Sequence, residues 1–208
     1  MPPTDRPLPR FIAEQPRELE PQGRWKRLLE GLFKAACRDI TSDEQLGQAG
    51  PIRWFPERTY AGRTYVPAAA ETDAGYEVFG YVSFTRDDQS EPTDFGAQAD
   101  YTSEIAARNP EWKLDLNDEV IGRWRGSGEA TGELTLVWGT ALVPGGTVAT
   151  AELAEETMDQ CPVPDSGRFT LVAVDAVGGF GEDLYLDVRL WNQRGEPLAS
   201  ESLYEDQA

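Results

Sequence analysis

The chain has 208 residues, a formal charge of −18, and 39% hydrophobic and 10% aromatic residues, so it is no disordered tail and can carry its own core. It contains no histidine, which removes the Ser-His-Asp triad, the Cys-His dyad and His-ligated zinc or haem together. No apolar run reaches the roughly 20 residues of a membrane-spanning helix, and the single-sign field repels nucleic-acid phosphates and anionic membranes.

The charge is uneven. Residues 1–66 carry 11 Lys or Arg against 9 Asp or Glu, whereas residues 67–208 carry 8 against 28. The slightly basic front and strongly acidic remainder favour contact with an acidic protein, or head-to-tail contact between copies. Residues 1–21 hold Pro2, Pro3, Pro7, Pro9, Pro16 and Pro21, which predicts an extended arm with Phe11 and Ile12 as a small apolar anchor. The opening residues lack the apolar stretch of a secretory signal, and the expected location is the cytoplasm or an assembly formed there.

Residues 23–40 give the clearest helix. Trp25, Leu28, Leu29, Leu32, Phe33, Ala36 and Ile40 fall on one stripe at helical spacing, and Arg24, Lys26, Arg27, Lys34 and Arg38 lie off it. After Gly50-Pro51 the period becomes strand-like. Residues 52–55 and 64–66 flank a turn at Ala61-Gly62, and residues 76–84 read as a central buried strand broken by Gly80. Residues 87–100, with Asp87-Asp88, Pro92 and Gly96, read as a loop, followed by a short helix over residues 101–108. The remainder predicts strands over residues 120–125, 133–143, 148–153, 169–177, 184–191 and 198–204, with Asn192-Gln193-Arg194-Gly195 as the hairpin turn of the last two.

Motifs are few. Asp115-Leu116-Asn117-Asp118-Glu119 alternates oxygen ligands, but Val120 and Gly126 stand where a calcium loop needs Gly and Glu, so a solvated turn is expected. Gly178-Gly179-Phe180-Gly181 lacks the Lys-Ser or Lys-Thr of a phosphate loop and reads as a turn. Cys37 and Cys161 form no CxxC pair, and reduced, unligated thiols are expected, with Cys161-Pro162 in a turn. Gly122-Arg123-Trp124-Arg125-Gly126 resembles the opening strand of lipocalin-like and nitrobindin-like barrels. Only 80 residues follow Gly128, too few for the roughly eight strands of such a barrel. The final hairpin, Val188 to Ala199, resembles the closing hairpin of hot-dog thioesterases, which implies antiparallel pairing and no substrate.

The expected fold is mainly β (α+β): an antiparallel sandwich or barrel-like domain over residues 22–208, with one N-terminal amphipathic helix and the extended arm over residues 1–21. The expected function is a non-catalytic structural or adaptor subunit of a virion-type particle or other multi-subunit complex, with no cofactor and no metal. Its partners are other protein subunits or further copies of itself, contacted through Phe11, Ile12, Arg24, Arg27, Lys34 and Arg38. Two alternatives stand beside it. One is a β-barrel or hot-dog-like domain holding a small apolar ligand. The other is a carboxylate enzyme acting on sugars, which needs two acids in a cleft lined by Trp or Tyr.

Overall fold

The structure is a computed structural model and describes residues 7–17, 21–127, 129–178 and 184–203. Among these residues it is β-rich, with one α-helix, α1 (Gly23–Arg38), and twelve strands in three antiparallel sheets. In chain order the strands are β1 (Arg53–Trp54), β2 (Arg58–Tyr60), β3 (Arg63–Glu71), β4 (Glu77–Arg86), β5 (Pro92–Thr102), β6 (Leu114–Arg125), β7 (Thr131–Ala141), β8 (Gly146–Leu153), β9 (Glu156–Pro162), β10 (Arg168–Gly178), β11 (Asp187–Asn192) and β12 (Pro197–Ser202). The first sheet runs β1-β3-β4-β5, with β2 also on β3; the middle sheet runs β10-β7-β6; the last runs β12-β11-β8-β9.

These elements stack as four layers, α1 over the first, middle and last sheets. Leu29 and Phe33 of α1 pack on Trp54, Val66, Ala68, Val82 and Phe84. The first and middle sheets meet through Phe55, Tyr65, Ala69, Leu136, Trp138 and Val172. The largest cluster joins middle and last sheets, with Phe169, Leu171, Leu186, Val188 and Leu190 fully buried. The middle sheet is therefore covered on both faces, which is why β7 and β10 are apolar on both sides.

The helix ends at Arg38, just short of the expected residue 40, and the hairpin at Ala61-Gly62 forms with φ of +50° and +80°. Its first strand is β2 rather than residues 52–55. Several expectations need correcting. Residues 92–102, expected as loop and helix, form β5; Pro92 starts an edge strand, where a missing N–H costs nothing. The helix expected over residues 101–108 is reduced to a 3-10 turn at Ala106–Arg108, because Tyr101 and Thr102 pair with Val78 and Glu77. Residues 115–119 belong to β6 and are no turn. Cys161 lies in β9, a strand hidden from the sequence because its turn, Ala154-Glu155 with φ of +48° and +67°, carries neither Gly nor Asn. Of the Gly178–Gly181 stretch, only Gly178 falls within the described residues.

Sheet edges receive separate devices. The arm hydrogen-bonds along two of them: the Phe11 amide donates to the Met158 carbonyl at 2.6 Å, the Glu14 amide to that of Thr59 at 2.8 Å, and Arg17 bridges Glu57. On the outer edge of β10, Arg58 donates to the Thr170 carbonyl at 3.0 Å, and Asp159 accepts the Val172 amide at 2.7 Å.

Candidate functional site

The helix is amphipathic, so burying Leu29 and Phe33 fixes which residues face outward. At 100° per residue, Arg24, Arg27, Lys34 and Arg38 fall on the side opposite those two, and all four are exposed. Among the described residues none of the four makes a side-chain hydrogen bond or an ion pair, whereas Lys26, nearer the sheet, approaches Glu30 at 3.9 Å. Leu28, 43% exposed, flanks the same face. The result is a row of four cations without an ion pair among the described residues, on the outermost layer of a chain with a charge of −18.

Of the residues expected to bind partners, the structure gathers Arg24, Arg27, Lys34 and Arg38 on this one face. Phe11 and Ile12 lie elsewhere. Ile12 packs against the chain's own core, while Phe11 stays 47% exposed with Arg10 over its ring at 5.7 Å. The C-terminal half of the helix also borders a cleft of about 570 Å³, where Lys34, Cys37 and Arg38 face Glu44, Gln48 and Val78. Burial pushes the Cys37 thiol up to about 11, so it stays protonated near neutral pH.

A second arrangement, missed in the sequence, lies between β4 and β6. Glu77 is buried and held by Arg53, which also reaches Glu71 at 3.2 Å; the Asn117 side-chain amide approaches Glu77 at 3.5 Å. Arg53, Glu77 and Asp115 line a cleft of about 180 Å³. An adjoining one of about 220 Å³ is lined by Asp115, Asp118, Glu104, Phe79 and Trp112. Burial raises the carboxyls of Glu77, Asp115, Asp118 and Glu119 above their ordinary values. At Glu77 the neighbouring Asp115 adds to the rise, and Arg53 opposes it. Such carboxyls hold protons more readily than exposed ones, as a general acid must. Among the described residues, no group of three or more Cys, Asp or Glu is arranged to hold a metal ion. Asp115, Asp118 and Glu119 stood together in the sequence, but their meeting with Glu77 and Arg53 was not legible, because β4 and β6 come together only through sheet stacking.

The Gly122–Gly126 motif has a packing role. A Cβ at Gly126 would press on the Trp124 ring, which is buried in the core between middle and last sheets. No helix among the described residues is long and apolar enough to cross a membrane. No family model, no curated protein and no solved structure matches this chain.

Proposed function

We propose that the chain is a non-catalytic structural or adaptor subunit of a larger protein assembly, and that it contacts an acidic protein surface through the outer face of α1. The observation that carries this is the row Arg24, Arg27, Lys34 and Arg38, four exposed cations without an ion-pair partner among the described residues. Rows of uncompensated like charge repel one another on an isolated helix, and an acidic partner removes that cost while speeding encounter. The absence of histidine, a chemical fact of the whole chain, narrows the catalytic alternatives.

The test is purification under native conditions of the unaltered chain and of Arg24→Glu/Arg27→Glu/Lys34→Glu/Arg38→Glu, with identification of what stays attached. The proposal expects an acidic protein in fixed stoichiometry with the first, lost from the second while its melting curve is retained. Equal retention by both chains contradicts it.

A carboxylate enzyme acting on sugars is the second reading. It is favoured by Trp112 beside Asp115, Asp118 and Glu104 in one cleft, an aromatic platform next to paired acids, of which burial raises Asp115 and Asp118. Asp115→Asn abolishing glycan hydrolysis supports it, and the lack of any turnover by the native chain across a glycan panel removes it.

A further inference from the structure

Sheet edges are templates for further strands unless something blunts them. Here β2 and β9 are covered by the arm, and β10 by Arg58 and Asp159. The edge of β6 carries Asp115, Asp118, Glu119, Arg123 and Arg125 together with a bulge between Val120 and Gly122. The edge strand β12 is short and begins with a proline. β5 is different. It ends the first sheet, most of its residues are exposed, and no described backbone group outside β4 pairs with residues 93–101.

The bulge in β5 decides what its edge can take. Gly96 opposes Ser83 and Thr93 opposes Thr85, so Asp94 and Phe95 together oppose Phe84 and add one extra residue to β5, with Asp94 at φ +50°. Beyond it, residues 96–102 run in unbroken register against β4, held so closely that a Cβ at Gly80 would overlap the Gln98 carbonyl oxygen. This stretch, Gly96-Ala97-Gln98-Ala99-Asp100-Tyr101-Thr102, holds one charge, no lysine and no proline. Its midpoint is Ala99.

We propose that β5 pairs antiparallel with β5 of a second copy about a two-fold axis midway between the two Ala99 residues, joining the two first sheets into one. In an isologous antiparallel pair opposite residues face the same side, so one residue must lie opposite its own copy, with the axis midway between the two. Centred on Ala99, the pairing uses all of residues 96–102, and centred earlier it runs into the bulge. The register sets Gln98 opposite Asp100, Ala97 opposite Tyr101 and Gly96 opposite Thr102, with no like charges directly opposed. Centred on Ala97 instead, Asp94 would face Asp100. The Gln98 side chain accepts from the Tyr81 hydroxyl at 3.3 Å and hydrogen-bonds Glu119 of the same chain, which leaves its second amide hydrogen to donate across the dyad to Asp100. On the α1 side of the sheet Phe95, 37% exposed, packs on Trp25 at 6.0 Å, an apolar margin beside the open edge.

This contact is independent of the basic face of α1, and salt separates the two. Two chains of like net charge associate more tightly as salt screens them, whereas a cationic row on an acidic partner loosens. The experiment is sedimentation velocity of the full chain over a concentration and salt series, with Gln98→Glu and Gln98→Lys. The native chain is expected to form a dimer that tightens with salt. Gln98→Glu sets two like-charge pairs across the dyad and should weaken it several-fold; Gln98→Lys sets two opposite-charge pairs and should tighten it. If Gln98→Glu fails to fold, Ala97→Lys, at an exposed edge position, should likewise yield monomers. A native chain that stays monomeric up to on the order of 100 μM overturns the proposal. So does a shift of both Gln98 variants in the same direction. Neither result bears on retention of an acidic partner through α1.

Discussion

Arg58 of β2 and Asp159 of β9 form an ion pair at 2.7 Å across the edge of β10, with the Arg58 side chain only 1% exposed. The pair links the first and last sheets across the edge of the middle one, and each partner also satisfies a backbone group of β10. Burial raises the Asp159 carboxyl above its usual value, with the Arg58 guanidinium and the Val172 and Gln160 amides opposing. Removing one partner strands the other without solvent. Arg58→Met is expected to cost about 3–5 kcal/mol in urea unfolding, and Arg58→Met/Asp159→Leu less than the sum of the single changes. Additive losses would mean that the two act separately.

Stability should rise on mild acidification. Glu77, Asp115, Asp118 and Glu119 all have raised carboxyls in the fold. The native state therefore binds protons more tightly than the unfolded chain. Their contribution is fully present below the ordinary carboxylate range and is lost as pH climbs through the raised native values. Relief of the net charge of −18 acts in the same direction. Calorimetry at about pH 5 and pH 7.5 should give the higher Tm at the lower pH, opposite to ordinary acid denaturation.

Adjacent residues of β11 should respond unequally to truncation. Leu190 is fully buried between middle and last sheets, whereas Trp191 lies on the outer face, half-buried, its indole N–H donating to Thr150 Oγ1 at 2.7 Å. Leu190→Ala should cost about 2–5 kcal/mol and Trp191→Ala about 1–2 kcal/mol. Equal losses would place a second covering layer over that face.

The arm divides in the same way. Ile12 packs on two core clusters while Phe11 is largely exposed, so Ile12→Ala should lower stability by about 1–2 kcal/mol and Phe11→Ala by less than about 0.5 kcal/mol. Thermal melts of the two variants check this, and a larger loss for Phe11 would contradict the packing described.

Where side-chain period alone sets local structure, the sequence was legible. The stripe from Trp25 to Phe33 marks α1, and the alternation at Leu186, Val188 and Leu190 marks β11 with its inward face. Where long-range pairing overrides local pattern, it was not. Asp115 to Glu119 resembles a turn, yet Leu114 buries itself in the core shared with the last sheet and Asn117 beside Glu77 of β4, and the acids between and after them follow the strand. β5 is exposed on most positions and shows no alternation, because its place is set by β4 and α1. The basic row was readable as residues, but that its members face away from the core, with no ion pair among the described residues, required the helix to be seated on its sheet.

The assembly reading has one direct measurement. The chain has only three lysines, Lys26, Lys34 and Lys113, all exposed, and only Lys34 belongs to the outward row. Amine-reactive labelling of the natively purified assembly and of the isolated chain, read by peptide mass spectrometry, compares them within one molecule. The account predicts that Lys34 is protected in the assembly while Lys113 reacts as it does in the isolated chain. Unchanged labelling of Lys34 in a stoichiometric complex would contradict it.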